Sequence, residues 1–212
     1  MGDPANDENL TIWTIGHSNQ SFDQFLDLLK RHQIDDVVDV RSSPYSRYAT
    51  RFSKEAIEDS LARHRIRYIF LGDLIGGRPA ETKFYDSEGY VLYGKLAESP
   101  ESQRGLDRLL EEIEMYRVAI LCGEEDPTEC HRRLLIGRVL SEKGVAVRHI
   151  RGDGRAQTEA EVAQEEQLLA TRGQLSLFEL EGEKEWKSAR SVLPGRAPRS
   201  SSAHSDEWEY ED

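Results

Sequence analysis

The chain has 212 residues, of which 32% are charged and 37% hydrophobic, and its net charge at neutral pH is −12. Two cysteines are too few for a disulfide framework, and no apolar stretch approaches the roughly 20 residues of a membrane span. The first ten residues lack the basic and apolar regions of a secretory signal. These properties exclude a disulfide-stabilised scaffold, and we expect a cytoplasmic protein with no membrane partner.

The charge is unevenly distributed along the chain. Residues 156–212 hold 13 acidic and 6 basic side chains, whereas residues 41–67 hold seven arginines or lysines and three acids. One basic segment in an acidic chain is not typical of a protein that binds duplex DNA through bulk charge. It leaves room for a small anionic ligand or a few phosphates at one place.

Strand-like apolar runs alternate with helical patterns as far as residue 150. Strands are predicted over residues 11–15, 37–40, 67–71, 118–122 and 145–150. Helices are predicted to begin at Ser21, Ser53, Ser99-Pro100 and Asp126-Pro127, the last ending at Gly144. This alternation predicts an α/β three-layer sandwich, in which helices flank both faces of a mainly parallel five-stranded sheet.

The composition predicts where this domain begins and ends. We expect a disordered segment over residues 1–10 and the α/β domain over residues 11–155. Thr158 and Glu161 form a capping-box pattern, so a helix or linker is predicted over residues 156–173. Residues 179–212 are rich in Ser, Arg, Pro and Glu, which predicts a flexible, disordered acidic tail.

Polar residues follow the first predicted strand, at the edge where parallel sheets bind ligands. Gly16 would let the backbone approach a ligand, and His17 titrates near neutral pH and is a candidate acid or base. Ser18 is a candidate hydrogen-bond donor to that ligand. The alternative is that these residues only hydrogen-bond within their own loop.

Two carboxylates and an arginine are also expected at this edge. Asp39 and Arg41 leave the second strand two residues apart, so their side chains share a face. They form either a plain ion pair or a catalytic carboxylate held ionised beside an arginine that binds phosphate. Glu124 follows the fourth strand and is a candidate catalytic acid or base.

A histidine and an arginine continue the buried stripe of the helix predicted after Asp126. Stepping back four residues from Leu135 and Ile136 leads to His131 and Arg132. A charge on a buried stripe needs a partner or a ligand, and anions are favoured near a helix N-terminus. We expect His131 to be catalytic and Arg132 to bind phosphate; the alternative for Arg132 is a structural ion pair.

The cysteine at the start of this helix, Cys130, can be interpreted in two ways. Cys130 is either a nucleophile with a lowered pKa or, more commonly for a lone cysteine, a small buried hydrophobe. Cys122 lies within a strand and is predicted to be core. Two cysteines and one histidine without matched spacing do not make a zinc motif, so no metal and no cofactor are predicted.

Two loops add candidate ligand contacts. Tyr45 and Arg47 belong to a segment that interleaves aromatic and arginine residues, the mixture that stacks bases and holds phosphates. A solvated arginine loop is an equally good interpretation. Arg78 follows Gly76-Gly77, which matches no phosphate-loop pattern and is expected to form a wall or lid of the pocket.

These motifs, in this order, resemble the domain-of-unknown-function 488 family over about residues 11–152. The similarity lies in Thr14–Ser18, in Asp39-Val40-Arg41 with Pro44, Ser46 and Phe52-Ser53, in Leu71-Gly72 with Gly76-Gly77, and in Leu121-Cys122 with Glu124 and Cys130-His131-Arg132. The resemblance implies an α/β domain. It places the functional positions among His17, Asp39, Arg41, Glu124, Cys130, His131 and Arg132, and it brings no assigned reaction.

A pentapeptide in the tail resembles the motif by which bacterial polymerases and repair proteins bind the replication sliding clamp. Gln174, Leu175, Leu177 and Phe178 carry the similarity, which should arise by chance in roughly one chain in a few thousand. Within a polar tail, Leu177 and Phe178 can enter an apolar groove of the DNA polymerase sliding clamp. The alternative is a terminal segment that packs these side chains on the parent domain.

Three functions follow from these observations. The first is a DNA repair or processing enzyme that hydrolyses an N-glycosidic or phosphoester bond of a nucleotide or base, recruited by the clamp. The second is a non-catalytic module that senses DNA or a nucleotide and binds the clamp. The third is an enzyme acting on a small phosphorylated metabolite, with the pentapeptide accidental.

Overall fold

The computed structural model describes residues 10–45, 49–172 and 185–192. Within them six strands form one sheet: β1 (Thr11–Gly16), β2 (Asp36–Asp39), β3 (Arg67–Phe70), β4 (Val118–Cys122), β5 (Ala146–Ile150) and β6 (Ala156–Thr158). The order across the sheet is β3-β2-β4-β1-β5-β6, and the β5–β6 pair is antiparallel whereas the other pairs are parallel. The predicted mainly parallel α/β sheet is confirmed.

The sixth strand is a difference from the sequence prediction. Ala156–Thr158 lies where a helix or linker was expected, and it pairs with the edge of β5. Three residues are too few to show the period-2 pattern of a strand, so backbone pairing with β5 decides the structure here. The predicted last helix does follow, with reciprocal bonds between Thr158 and Glu161 at its start.

Helices cover both faces of the sheet. They are α1 (Phe22–Arg31), α2 (Lys54–Ala62), α3 (Gly72–Ile75), α4 (Tyr93–Ala97), α5 (Pro100–Met115), α6 (Arg138–Glu142) and α7 (Glu159–Arg172). Short 3-10 turns span Thr50–Phe52 and Thr82–Phe84, and a π-helix spans Arg132–Gly137. Several of the expected starts hold: Ser21 forms a capping box with Gln24, and Ser99 caps α5 ahead of Pro100. At α2, Ser53 occupies the cap position, but its hydroxyl donates to the Thr50 carbonyl instead.

The core consists of two apolar layers separated by the sheet. Alternate residues of β1 illustrate the division, because Ile12 packs in the layer under α3 to α6 and Trp13 in the layer under α1 and α2. Both residues are buried, and so are all five residues of β4. Helix–sheet–helix layering is therefore the observed three-layer arrangement.

The helix predicted to begin at Asp126-Pro127 begins later and in a different form. The Asp126 carboxylate accepts bonds from the backbone N–H and the hydroxyl of Thr128, both at 2.9 Å, which closes a turn instead of a helix. Regular helical structure starts only around Arg132, as the π-helix that leads into α6. The wider π-helical turn is a form often found at functional sites.

Part of the predicted disordered tail packs on the domain. Residues 185–192, here called the strap, lie along the segment that precedes α4. Lys187 pairs with Leu92, the Ser188 N–H donates to the Val91 carbonyl at 2.9 Å, and the Trp186 indole N–H donates to the Leu134 carbonyl at 2.7 Å. The prediction of disorder over residues 179–212 is thus wrong for the strap.

Other predicted segments lie outside the described residues. These are residues 1–9, residues 46–48 with Arg47, residues 173–184 with the pentapeptide, and residues 193–212.

None of the helices in the described ranges combines the length and the apolar character needed to span a bilayer.

Candidate functional site

A cavity of about 390 Å³ opens at the carboxyl ends of the central strands. This is the edge at which the sequence predicts a site, because the parallel register brings the ends of β1, β2 and β4 side by side. Seven predicted site residues line the cavity: His17, Arg41, Tyr45, Arg78, Glu124, Cys130 and His131. They come from five separate segments of the chain, so the fold gathers them into one place.

Arg41 is held in a fixed orientation by a buried carboxylate. Its Nε and Nη2 donate to the two oxygens of Asp39 at 2.9 and 2.5 Å, and Tyr68 donates to the same carboxylate at 2.7 Å. Burial alone would lower the pKa of Arg41, but the hydrogen bond and charge of Asp39 outweigh it and raise the pKa. Asp39 is fully buried and is not among the cavity-lining residues. Its role in this geometry is to orient Arg41 and not to touch a ligand.

His17 is a neutral imidazole in this arrangement. Its Nδ1 lies 3.0 Å from the Ser18 carbonyl, which only accepts, so Nδ1 carries the proton. Its Nε2 then accepts from Arg41 Nη1 at 3.2 Å. Burial lowers the pKa of His17, and the ring stacks on Phe52 with centroids 4.4 Å apart. His17 therefore forms part of the cavity wall and fixes a second nitrogen of Arg41.

Gly16 and Ser18 serve the fold where ligand contact was expected. A Cβ at residue 16 would lie 1.7 Å from the Glu124 carbonyl oxygen, so glycine is required for the close approach of two backbones. The Ser18 N–H donates to the Gly123 carbonyl at 2.9 Å. Neither residue lines the cavity.

Arg132 lies beneath the cavity and does not line it. Its side chain is fully buried, and its donors go to Thr14 Oγ1 at 3.2 Å, to the Glu124 carbonyl and to the Glu125 carbonyl at 2.5 Å. The sequence correctly places this charge on the buried stripe, but its partners are main-chain carbonyls and not a phosphate or a carboxylate. The guanidinium thus fixes the backbone that follows β4.

Two thiols and an imidazole converge on the cavity floor. His131 Nε2 lies 2.9 Å from the Val40 carbonyl, so Nε2 carries the proton and the lone pair of Nδ1 points towards the two thiols. Nδ1 lies 3.7 Å from Cys122 Sγ and 3.9 Å from Cys130 Sγ. One ligand atom of each residue lies within 4.8 Å of the other two, and within the described ranges this is the group that could hold a metal ion.

The two thiols differ in acidity. A hydrogen bond from the Cys130 thiol lowers the pKa of Cys122 to about 7 against the opposing effect of burial, and the charge of Arg132 acts in the same direction. Burial raises the pKa of Cys130 to about 12. Cys122, predicted to be core, is buried but lines the cavity, so the prediction missed its position at the site.

The rim of the cavity is charged and accessible. Arg78 and Glu124 are exposed, and the Arg78 backbone N–H donates to Ser42 Oγ at 2.8 Å. Tyr45 is 60% exposed and donates to Glu55 at 3.1 Å. A ligand entering the cavity therefore meets, among other groups, the guanidinium groups of Arg41 and Arg78, the ring of Tyr45 and the carboxylate of Glu124.

The strap contributes residues that sequence reasoning missed. Ser188, Ala189, Arg190 and Val192 line the cavity, and Arg190 forms an ion pair with Glu129 at the rim. Tyr93, at the start of α4, lines it as well. The signal available in the sequence is Trp186, an isolated large aromatic residue in a polar segment, which is costly to leave in water.

A buried polar network joins the cavity floor to α7. Thr14 bonds both Arg132 and His149, and His149 bonds Glu159 at 3.1 Å. Arg133 closes the network with bonds to Glu159 and Glu166 at 2.7 and 2.8 Å. The start of α7 is thereby anchored beneath the site.

Comparison with known proteins places the chain by family. The model of the family described as domain of unknown function DUF488 matches residues 21–139, more than half of the chain. No curated protein and no solved structure matches it. The match spans the strand ends and loops that supply most of the cavity, from Arg41 to the Cys130–His131 pair. The chain belongs to the DUF488 family.

Proposed function

We propose that this protein is a DNA repair or processing enzyme. The cavity at the carboxyl ends of the sheet receives a nucleotide or an extruded base and hydrolyses an N-glycosidic or phosphoester bond. The observation that carries the proposal is the meeting of Arg41 and Arg78 with Glu124 in one cavity. The two guanidinium groups bind anions, and the Glu124 carboxylate is exposed to water.

The electrostatics of the cavity favour a phosphate-bearing ligand. Arg41 has two nitrogens committed to Asp39 and one to His17, so the direction of its remaining N–H groups is set before a ligand arrives. Arg78 adds a second guanidinium from another loop, and guanidinium groups bind phosphate in a bidentate manner. A volume of about 390 Å³ falls within the roughly 300–1,000 Å³ of small-molecule sites.

Glu124 is the acid–base group of the proposed reaction. It is exposed at the cavity, whereas Asp39 is buried and His17 has both ring nitrogens engaged. In hydrolysis the Glu124 carboxylate accepts a proton from the attacking water, and Arg41 stabilises the negative charge that develops on the leaving group. The carbonyl of Glu124 is fixed by Arg132, which holds the backbone from which this carboxylate projects.

Recruitment by the sliding clamp accounts for an acidic protein acting on DNA. The pentapeptide over residues 174–178 falls between α7 and the strap, and Phe178 precedes the strap by seven residues, at most about 25 Å of chain. A clamp bound there would hold DNA close to the cavity and raise its local concentration without a basic surface.

The first experiment tests the reaction. Single-stranded, duplex and base-damaged oligonucleotides are incubated with the full chain and a sliding clamp, and released bases and cut strands are separated. We expect one substrate class to react, with E124Q reducing the rate by about 100-fold or more. The matched control is E111Q, an exposed glutamate on α5, which should react at the wild-type rate.

No turnover on any nucleic acid, or an unchanged rate in E124Q, contradicts the proposal. Binding of a substrate without turnover would instead support a non-catalytic sensor.

A separate pull-down tests recruitment: the clamp should be retained by the wild type and lost in L177A and F178A. Equal retention by all three proteins, or by none, contradicts the clamp part of the proposal.

A further inference from the structure

Two sulfur atoms and one nitrogen come together from two elements at the cavity floor. Cys122 ends β4, and Cys130 and His131 directly precede the π-helix. The distances from His131 Nδ1 are 3.7 Å to Cys122 Sγ and 3.9 Å to Cys130 Sγ, and the largest separation in the group is within 4.8 Å. Two buried thiols next to an imidazole lone pair are the donor set of a metal site.

These separations fit tetrahedral coordination. Zinc bonds of about 2.3 Å to sulfur and about 2.0–2.1 Å to nitrogen, at tetrahedral angles, separate sulfur from nitrogen by about 3.6 Å and sulfur from sulfur by about 3.8 Å. The observed sulfur–nitrogen distances exceed this by only a few tenths of an ångström. Small side-chain rotations therefore complete the geometry.

The imidazole is held in the orientation that a ligand needs. Nε2–H of His131 donates to the Val40 carbonyl at 2.9 Å, which leaves Nδ1 unprotonated and facing the sulfurs. Metal-bound histidines generally donate their second ring nitrogen to a carbonyl or carboxylate in this way. Gly77 packs against the ring, since a Cβ there would lie 2.6 Å from His131 Cγ. The ring is thus fixed from two sides.

We propose that Cys122, Cys130 and His131 bind a divalent zinc ion. The sulfur and imidazole donors favour zinc over magnesium or calcium, which prefer oxygen ligands. All three residues line the cavity, so the fourth position faces the space between Arg41, Arg78 and Glu124. Three protein ligands with one open position are the pattern of a catalytic zinc site.

The spacing rule that argues against zinc from the sequence does not apply to this geometry. Paired motifs separated by short loops describe sites built within one small module. Here a strand end and the start of a helix face each other across the sheet edge, so no fixed spacing is needed. A water on the ion would supply the nucleophile of a hydrolase, but metal binding itself does not depend on the proposed reaction.

The test measures metal binding directly. The full chain is purified under reducing conditions, stripped with a chelator, reloaded with zinc, passed through gel filtration and analysed for bound metal. We expect about one zinc per chain. Cobalt substituted for zinc should show thiolate-to-cobalt charge-transfer absorption, which reports sulfur ligands, and intense d–d bands, which report tetrahedral geometry.

Variants assign the ligands. C122S, C130S and H131Q should each weaken zinc affinity by more than about 100-fold, beyond the loss typical of an outer-shell group. H131Q can still donate to the Val40 carbonyl, so it keeps that bond while removing the ligand. The control is H32Q, which alters a histidine bonded to the Gly154 carbonyl and should bind zinc as the wild type does.

The proposal is overturned if the stripped wild type retains no zinc after reloading, or if the folded cysteine variants retain as much as the wild type. Absence of thiolate charge transfer in the cobalt form has the same meaning. These readouts need no substrate, so they separate failure of the metal site from failure of the proposed hydrolase.

Discussion

An arginine at each edge of the parallel sheet has a different kind of partner. At the amino edge, Arg67 is half exposed and lies between the carboxylates of Asp36 and Glu112. At the carboxyl edge, Arg132 is fully buried, and its contacts are a hydroxyl and two main-chain carbonyls. Ion pairs at the first edge fasten the fold, whereas the buried cation at the second shapes a loop that lines a cavity.

The charges available to a ligand lie at the carboxyl edge. At the amino edge, the charge of Arg67 is neutralised by Asp36 and Glu112. At the carboxyl edge, Asp39 engages part of Arg41, and the rest of that guanidinium, together with Arg78 and Glu124, faces the cavity. Conformational precision at this edge therefore depends on residues that never touch a ligand.

The largest expected effect comes from the backbone contact at the carboxyl edge. In G16A the new methyl group would meet the Glu124 carbonyl at 1.7 Å, so the ends of β1 and β4 must separate. We expect the free energy of unfolding to fall by about 3 kcal/mol, at the upper end of overpacking costs, as measured by urea denaturation. In the control G94A, the methyl group would meet Trp186 at an ordinary 3.6 Å, and stability should be almost unchanged. Equal effects of the two changes would show that the close approach of Gly16 to the Glu124 carbonyl is not required for stability.

Removal of the buried cation should cost nearly as much. R132M leaves the carbonyls of Glu124 and Glu125 without their donors, and each abandoned buried group costs about 1–3 kcal/mol. We expect a loss of about 3 kcal/mol in the free energy of unfolding. R104M removes an exposed ion pair with Glu101 and should cost less than about 0.5 kcal/mol. A small effect of R132M would show that the guanidinium does not support the loop.

The strap offers a local test of the cavity rim. W186A removes the bond to the Leu134 carbonyl and the stacking of Arg138, whose guanidinium lies 4.3 Å from the ring centroid. We expect a loss of about 1–2 kcal/mol and faster hydrogen exchange at the Ser188 N–H. W186F loses the indole N–H but keeps an aromatic ring on which Arg138 can stack, and it should show a smaller change in both measurements. Unaltered exchange in W186A would mean that the strap is held by its backbone pairing alone.

The smallest expected effect is a pH dependence of stability. Burial lowers the pKa of His149, which bonds Thr14 and Glu159 and is surrounded by the charges of Arg132 and Arg133. As pH falls below 6.5, the unfolded chain takes up this proton before the folded protein does, so the free energy of unfolding decreases. Urea denaturation between about pH 7.5 and pH 5.5 should show this slope.

H149Q should reduce that slope without abolishing it. Burial also lowers the pKa values of His17 and His32, which retain their share of the dependence. A slope that is identical in H149Q and the wild type would show that His149 does not contribute.

Much of the fold follows from local patterns in the sequence. The five long strands and the starts of α1, α5 and α7 were predicted to within one or two residues, because periodicity and capping residues are local signals. The sixth strand was missed because it has only three residues and forms by pairing with the preceding strand β5. The strap was missed because it pairs with Leu92, which is far away in the chain. The late start of the helix after Asp126 reflects competition from the carboxylate of Asp126 itself.

The sequence predicts the position of the cavity but only some of the contacts that its residues make. Strand ends located the cavity, and the buried stripe correctly turned Arg132 inward. The sequence does not reveal that the partners of Arg132 are carbonyls, that Asp39 is covered by Arg41 and Tyr68, or that Cys122 faces His131. Each of these depends on side-chain direction across neighbouring elements, which no single segment encodes.

Phosphate binding by the cavity is tested by titration calorimetry, which compares the affinity for a deoxynucleoside 5′-monophosphate with the affinity for the same nucleoside without phosphate. The wild type should prefer the monophosphate, and R78M, which changes an exposed cavity residue, should weaken its binding by about tenfold or more while leaving the nucleoside unaffected. R63M, an exposed change at the end of α2, should bind as the wild type does. Equal affinity of the wild type for both compounds, or an undiminished preference in R78M, would contradict the claim that this cavity is built to receive phosphate.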